Sequence, residues 1–430
     1  MKVILAHFEN DIYKDCLISF LLVNRFGTSF DLILKENMKK IYTLLSLCLV
    51  AFFAIGQGTW VQKATCPGST RYRAYSFEVN GKCYMGGGSP GATVTLKDHW
   101  EYDVTTNTWT QKADLPGPSR ENSAASSLGN YGYVGLGYNG TIMFNDWYEY
   151  DPSMNTWSQK ANFPGVPRFL AASFMLQNRI FVGGGLDSAS TPKSDFYAYD
   201  PTSNTWAPKA NLITAVGAPA TFVLNNKGYF IGGLINGSVS STSQTQVYDP
   251  VLNSWSTKAA YTPGNTFSAV GFSLFGFGYV GTGFTGSLTD VMYRYDPTGD
   301  NWTQETSWPT GIRQWATSCI SGNRVFVGTG NSTGGNLYAD WWEFIPATTG
   351  MEQVQENAIV AGFNPDQHRI NLENVSGGET INIYSIDGKL VYTAVLLAGQ
   401  ESISWQRKGN FLCNIKTLGK SVAFKIRCLN

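Results

Sequence analysis

Residues 150–157 read Tyr150-Asp151-Pro152-Ser153-Met154-Asn155-Thr156-Trp157, and close copies of this segment recur along the chain. The copies lie at residues 102–109, 199–206, 248–255 and 295–302. The tryptophans that end these segments are 48, 49, 49 and 47 residues apart. A fixed period of this length indicates an array of one supersecondary unit, and the repeat therefore decides the fold.

Each repeat predicts four short strands joined by turns. A stretch of small residues, such as residues 124–128, is followed by a tight turn and by an apolar strand that runs into glycine, as in Tyr133-Val134-Gly135. A Tyr-Asp strand and a Trp strand complete the unit, which is typical of an antiparallel sheet. Tyrosine and tryptophan supply large faces that fill the space between adjacent sheets. The residues that we expect to hold the repeats together are Trp60, Trp109, Trp157, Trp206, Trp255, Trp302, Tyr102, Tyr150, Tyr199, Tyr248 and Tyr295.

The succession of a Gly-Gly pair, a Tyr-Asp-Pro turn and a tryptophan resembles the kelch repeat, over about residues 58–347. The resemblance is specific because the pattern recurs in phase. Kelch repeats fold as β-propellers, whose radial repetition leaves only short, protected sheet edges. The resemblance therefore implies an all-β propeller, which we assign to residues 57–350.

The number of blades follows from the two ends of the array. Trp60 lies in a segment that matches the Trp109 strand, so the array begins with a lone outer strand. The last copy, residues 313–346, has three predicted strands and no Trp strand after them. The surplus strand at one end supplies the strand that is missing at the other. We predict six blades, with the sixth closed by the Trp60 strand.

The N-terminal 56 residues are predicted to be absent from the mature protein. Residues 38–56 contain a basic start, an apolar run and a small-residue exit, which together are typical of a secretory signal peptide. The run at residues 41–55 is short for a membrane-spanning helix, so we expect no transmembrane segment in the mature protein. Residues 1–37 precede the signal and are interpreted as a non-native upstream extension, with an unusual leader as the alternative.

The C-terminal residues 351–430 differ from the repeats in composition. Alternating strands flank the hairpin turn Asp387-Gly388, and a last strand follows near residues 421–427. This tail resembles the C-terminal sorting domain of the bacterial type IX secretion system, a small antiparallel β-sandwich. The resemblance implies the type IX machinery as a partner, and a secreted protein that is extracellular or attached to the outer-membrane surface of a Gram-negative bacterium. An ordinary binding domain is the alternative.

Composition excludes several classes of function. Lys+Arg and Asp+Glu are balanced at 31 each, so no broad basic field exists to attract nucleic acid. After the signal only His99 and His368 remain, and they belong to different predicted domains. A two-histidine metal site is therefore not expected, and we predict no metal and no cofactor. His99 is expected to be an ordinary strand residue.

Five cysteines follow the signal: Cys66, Cys83, Cys319, Cys413 and Cys428. An odd number argues against a full disulfide framework. A Cys66–Cys319 bond in the closing blade stays open, but the sequence favours buried free thiols. In the tail, a turn near residues 418–419 would place Cys413 opposite Phe424.

Arginines with aromatic or polar companions stand at the start of several predicted inner strands. Because inner strands line the axis of a propeller, equivalent positions should form a ring at one mouth of its channel. Guanidiniums bind carboxylates in bidentate fashion, and aromatic faces add stacking surface, so an acidic glycan or a carboxylate-bearing peptide would suit the ring. The alternative is that the arginines tie neighbouring blades together. Ala218 and Phe267 interrupt the ring in blades four and five. The candidate ligand-binding residues are Arg71, Arg73, Arg120, Arg168, Arg313 and Trp315.

Three classes of function fit this sequence. The first is a secreted or surface-attached binding module for an extracellular glycan or protein, which we favour over an enzyme. The second is suggested by resemblance, since six-bladed kelch propellers include sialic-acid mutarotases. Such an enzyme needs an acid–base pair in the channel, for which Glu121 beside Arg120 is the candidate. The third is a structural component of a surface or matrix, without a discrete ligand.

Overall fold

The computed structural model describes residues 58–91, 93–236 and 240–346, and seven segments of the tail, and it divides the chain into two compact units. The units are Met1–Ala347 and Thr348–Asn430. The described tail segments are residues 360–364, 369–373, 380–385, 390–397, 402–405, 409–417 and 420–428. The predicted extension at residues 1–37 and the predicted signal peptide at residues 38–56 lie outside the described residues.

The described part of the first unit is built almost wholly from short strands, with one 3-10 turn at Thr333–Gly335. In chain order the strands are β1 (Thr59–Gln62), β2 (Tyr75–Val79), β3 (Lys82–Gly86), β4 (His99–Asp103), β5 (Thr108–Lys112), β6 (Ala124–Leu128), β7 (Tyr131–Gly135), β8 (Trp147–Asp151), β9 (Thr156–Lys160), β10 (Phe169–Leu176), β11 (Arg179–Leu186), β12 (Phe196–Asp200), β13 (Thr205–Lys209), β14 (Ala220–Leu224), β15 (Lys227–Ile231), β16 (Leu234–Ile235), β17 (Ser240–Ser241), β18 (Thr245–Asp249), β19 (Ser254–Lys258), β20 (Val270–Leu274), β21 (Phe277–Gly281), β22 (Val291–Asp296), β23 (Asn301–Ser307), β24 (Thr317–Ser321), β25 (Arg324–Gly328) and β26 (Trp341–Ile345).

These strands form the six blades of a β-propeller, as the repeat predicts. Each blade is a four-stranded antiparallel sheet of consecutive strands, with two exceptions: the two-stranded sheet β16–β17 is inserted within blade four, and β1 completes blade six. Blades one to five are β2–β5, β6–β9, β10–β13, β14-β15-β18-β19 and β20–β23, and blade six is β24-β25-β26-β1. Small residues of the inner strands, such as Ser76 and Gly271, lie where the inner strands of neighbouring blades approach each other closely.

The first strand closes the ring, which confirms the predicted role of Trp60. Strand β1 pairs antiparallel with β26, and Trp60 lies opposite Phe344. On the inner side, the Ser76 hydroxyl of blade one donates to the Ser318 carbonyl of blade six at 2.7 Å. The two ends of the array are therefore joined at both the inner and the outer strands.

The Tyr…Asn…Trp motif links each of the first five blades to the Ala at the end of the preceding outer strand. In blade two the Asn155 Oδ1 accepts hydrogen bonds from the Tyr150 hydroxyl and from the Ala113 amide, both at 2.8 Å. The Trp157 indole N–H donates to the Ala113 carbonyl at 2.8 Å. Asn155 has φ +53°, a left-handed conformation that Asn tolerates better than most residues. The same contacts recur around Asn107, Asn204, Asn253 and Asp300.

A disulfide crosses the seam between the first and last blades. Cys83 in β3 is bonded to Cys319 in β24, with their Cα atoms 5.9 Å apart and the two residues 236 positions apart in sequence. Our expectation of buried free thiols is therefore wrong for this pair, and the Cys66–Cys319 alternative is excluded. Cys66 remains a buried free thiol, and burial raises its pKa to about 12.

The tail is described only as strands and their pairing. Its strands are β27 (Val360–Asn364), β28 (Arg369–Glu373), β29 (Thr380–Ser385), β30 (Leu390–Val395), β31 (Ser402–Ser404), β32 (Gly409–Thr417) and β33 (Lys420–Cys428). They form a three-stranded sheet, β27-β28-β31, and a four-stranded sheet, β30-β29-β32-β33. Cys413 lies opposite Phe424, as the sequence predicts, whereas the Asp387-Gly388 turn lies outside the described residues. Within the described segments of both units, no helix is long and apolar enough to cross a membrane.

Candidate functional site

The inner strands of the six blades surround a central channel of about 450 Å³. Its wall is made mainly of small residues such as Ser76, Ala125, Ser173 and Gly271. Two charged side chains line it, Arg73 at the start of the blade-one inner strand and Glu78 near its end. Five extended residues span roughly 16 Å, so these two charges lie towards opposite ends of the channel.

A closed ring of backbone hydrogen bonds defines the channel mouth on the Arg73 side. Six residues, one before each inner strand, adopt φ between 52° and 60°, and each donates its amide to the carbonyl of its counterpart in the preceding blade. The N–O distances run from 2.8 to 3.2 Å. The six residues, which we call the mouth ring, are Arg73, Asn122, Leu170, Ala218, Ser268 and Trp315. The backbone at the mouth is therefore fixed, and its chemistry is set by side chains.

Four of the predicted ligand-binding arginines do not face the channel. The Arg168 side chain is 1% exposed, and its two terminal nitrogens donate to the two oxygens of Asp195 at 2.6 and 2.8 Å. Its Nη1 also donates to the Gly184 carbonyl at 2.9 Å. The same bidentate arrangement, with a fully buried arginine, joins Arg71 to Asp98, Arg120 to Asp146 and Arg313 to Asp340. Each of the four guanidiniums is therefore bound within its own blade. Their role is structural, but the expected alternative, in which they tie neighbouring blades together, is wrong for these side chains.

The two blades without this arginine also lack its partner. Backbone pairing places Val216 and Thr266 at the arginine positions of blades four and five, rather than Ala218 and Phe267 as expected from the sequence. The aspartate positions of the same blades carry Gln244 and Val291. Because both members of the pair are replaced together, the arginine and the aspartate form one structural unit of a blade.

Arg73 and Trp315, by contrast, stand together at the mouth. The Arg73 Nη1 donates to the Glu121 Oε1 at 2.7 Å, and the Arg73 side chain remains 28% exposed. The guanidinium lies over the ring of Tyr72 at 4.6 Å and over that of Trp315 at 4.9 Å. A cation held between two aromatic faces is positioned without losing its ability to bind an anion.

Glu121 pairs with Arg73 and not with Arg120, which corrects the acid–base pair expected from the sequence. The Arg120 guanidinium donates instead to both carboxylate oxygens of Asp146. Glu121 itself is 7% exposed, and burial raises its pKa although the Arg73 charge opposes the shift. The Asn122 amide lies 3.3 Å from the Glu121 Oε1. Glu121 therefore depends on Arg73 for most of the compensation of its charge.

The opposite half of the mouth is apolar. Leu170, Leu186, Ala218 and Leu234 form one buried cluster, against which Phe169, Phe267 and Trp315 pack. The sequence pointed to Trp315 but missed the leucines. Leu186 and Leu234 follow the Gly-Gly pairs and meet the mouth through bridges to the residues before the inner strands, as in Gly217–Leu234. Leu186 and Leu234 could therefore have been found in the sequence from their position directly after a Gly-Gly pair.

His99 belongs to the core between blades one and two. It is fully buried among Tyr75, Phe77, Tyr84 and Tyr150, and its Nε2 has no hydrogen-bond partner. Burial lowers its pKa to about 3, so the imidazole is neutral at physiological pH. Within the described residues, no three metal-ligating side chains gather at this or any other place.

Substituting His99 by phenylalanine, the residue at the equivalent position Phe196, is expected to reduce the acid sensitivity of the protein. The unfolded histidine takes up a proton below about pH 6.5 while the folded one stays neutral until about pH 3, so stability is lost as pH falls through that window. At pH 5 this costs the wild type about 2 kcal/mol relative to pH 7. Urea unfolding at both pH values measures the difference; an equal acid loss in His99→Phe and wild type would contradict it.

Sequence comparison identifies the class of this propeller. The chain belongs to the Attractin/LZTR1 beta-propeller family, whose sequence model matches residues 49–273. Among solved structures, the chain is similar to "Structure of YjhT", with a TM-score of 0.57 and 16% sequence identity. That similarity covers 73% of this chain and 99% of the other, and at this identity it supports the fold alone. No curated protein sequence matches the chain.

Proposed function

We propose that the protein is a secreted or cell-surface binding module that takes an extracellular glycan or protein at the mouth of its propeller channel. The observation that carries this proposal is the two-sided mouth, in which Arg73 and Glu121 face an apolar half built around Leu170 and Phe267. The mouth ring holds both halves on a rigid backbone. A preformed concave site with a few polar groups on an apolar wall is typical of ligand binding.

The charges at the mouth favour binding over catalysis. Acid–base catalysis needs two groups that can exchange protons near the working pH. The partner of Glu121 is an arginine, whose guanidinium does not lose its proton in proteins. Glu78, the acidic residue among the described residues of the channel wall, lies towards the far end of the channel. Among the described residues, Glu121 is therefore the carboxylate that a mutarotase would have to use at this mouth.

Secretion and the role of the tail belong to the same proposal. The support is the sequence resemblance of residues 351–430 to a type IX sorting domain, together with the two antiparallel sheets formed by the described tail strands. In this proposal the tail delivers the propeller to the cell surface or beyond, and the propeller carries the recognition.

The binding role is tested on arrays that carry both acidic glycans and acidic peptides, probed with purified protein. Arg73→Ala is expected to weaken the strongest hit by tenfold or more, because a charge-assisted hydrogen bond contributes about 1.5–3 kcal/mol. Trp315→Ala is also expected to weaken it, because it removes an aromatic face that positions the Arg73 guanidinium. Arg179→Ala, which removes an exposed arginine paired with Asp200 away from the mouth, is the matched control and should bind normally. Binding that survives both mouth substitutions, or two blank arrays, would remove the mouth as the recognition site.

A further inference from the structure

We infer that the mouth binds a carboxylate-bearing ligand at Arg73, and that the ligand takes over the Arg73 charge from Glu121, which then takes up one proton. This inference rests on the proposed function and deepens it by naming the ligand chemistry and its coupling to pH.

Arg73 is the group that an anionic ligand would meet. Among the described residues that line the channel it alone is cationic. Its Nη1 is engaged by Glu121, whereas its Nε is buried without a hydrogen-bond partner. A buried, unsatisfied donor is uncommon in proteins and is satisfied when a ligand oxygen reaches it. The Arg73 Nε therefore remains as a donor that a ligand oxygen could satisfy.

The surroundings of Glu121 explain why it would respond to a ligand. Its own segment contributes Arg120, which is bound to Asp146, and the neutral amide of Asn122. Blade one contributes Arg73 and Tyr72, and the neighbouring loop contributes Tyr138, whose hydroxyl donates to the Gly140 carbonyl and whose carbonyl accepts the Glu121 amide. Arg73 is therefore the one cation that compensates the Glu121 carboxylate among these groups.

When a ligand carboxylate binds Arg73, the negative charge of Glu121 is no longer fully compensated by this arginine. Whether the ligand displaces Glu121 from Nη1 or shares the guanidinium with it, two like charges would share a single cation in a largely buried place. Protonation of Glu121 removes the conflict, and burial already raises the pKa of this group in the absence of ligand. The proton comes from solvent and is bound by the Glu121 carboxylate, so no other bond changes.

The sign of the pH dependence follows from this linkage. Ligand binding raises the Glu121 pKa, so the complex holds more protons than the free protein. Between the Glu121 pKa of the free protein and that of the complex, affinity falls by up to tenfold for each unit that pH rises. Outside that interval Glu121 has the same protonation state in the free protein and in the complex, so it adds no pH dependence to the affinity.

The apolar half of the mouth suggests a suitable probe. Leu170 belongs to the mouth ring with Arg73, and Phe267 packs against its cluster. A short molecule with a carboxylate at one end and an aromatic ring at the other therefore suits the mouth. We choose 4-phenylbutyrate, with its neutral amide, 4-phenylbutyramide, as the matched probe without charge.

The test is isothermal titration calorimetry of the whole protein with 4-phenylbutyrate, in two buffers that differ in ionisation enthalpy. For the wild type we expect a buffer-dependent enthalpy that corresponds to uptake of up to one proton, and weaker binding of the amide. Glu121→Gln keeps the shape of the side chain and should bind with no proton uptake and no pH dependence over the range above about pH 6, where the probe carboxylate is ionised. Glu78→Gln, which removes the carboxylate of the channel wall towards its far end, should leave the uptake unchanged.

Several outcomes overturn the inference. They are equal enthalpies in both buffers for the wild type, uptake that persists in Glu121→Gln, or no binding of 4-phenylbutyrate. The failure of the inference and that of the proposed function can be told apart by repeating the calorimetry with the strongest array hit. A hit that depends on Arg73 and binds without proton uptake would preserve the binding module and reject the proton coupling.

Discussion

Replacing Cys83 and Cys319 together by alanine is expected to lower the free energy of unfolding of the propeller by about 3–5 kcal/mol. The bond joins residues 236 positions apart, so it removes a very large loop from the unfolded chain. It also connects blade one to blade six at the point where the ring closes. Urea unfolding followed by tryptophan fluorescence measures the loss, and the reduced wild type should behave like the double variant.

Cys66→Ala provides the control for this prediction. Cys66 is buried like the other two cysteines but has no disulfide, so its substitution removes a buried thiol without opening a covalent link. We expect this variant to lose far less stability than the double variant. A double variant that unfolds within about 1 kcal/mol of the wild type would show that the closing strands alone hold the ring.

Arg168→Val is expected to lower the free energy of unfolding by about 3 kcal/mol, since breaking a buried ion pair from one side leaves an uncompensated charge. The value lies at the low end of the usual range because the Asp195 side chain is 30% exposed and keeps some contact with water. The substitution also frees the Gly184 carbonyl from its bond to the arginine. Thermal and urea unfolding of the purified variant measure the effect.

The chain itself supplies the compensating change. Blade four carries Val216 and Gln244 at the two positions, so the double variant Arg168→Val with Asp195→Gln copies a natural blade. We expect it to recover to within about 1 kcal/mol of the wild type, because replacing a buried ion pair as a whole is often close to neutral. If Arg168→Val instead kept its stability and lost ligand binding, the structural role of these arginines would be wrong.

The number of blades and their closure could be predicted from sequence because they depend on the phase of a repeat. The Trp60 segment matches the Trp109 strand, and this match alone predicts which strand completes blade six. The structural tyrosines and tryptophans were visible in the same way, since they recur within one short segment. The hydrogen bonds of the asparagine between them were not predicted.

The site was harder to predict because its parts come from different blades. The sequence showed an arginine at the start of an inner strand, but the aspartate that buries Arg168 lies 27 residues later, beyond a loop of variable length. The Arg73–Glu121 pair joins two blades across 48 residues. Adjacent numbering suggested Glu121 with Arg120, whereas alternation along the backbone turns these neighbours in different directions. The disulfide was hidden for the same reason, since its cysteines meet only when the ring closes.

Because β1 is the outer strand of blade six, the propeller ring can close only when almost the whole propeller has been synthesised. This strand emerges from the ribosome before any blade, yet its partner β26 emerges last of all the propeller strands. Until then, nascent chains carry an unsatisfied sheet edge at each end, which is a template for association with other chains. A messenger RNA truncated within blade six would therefore encode a chain that cannot close the ring. This product would be recognised by chaperones and proteases.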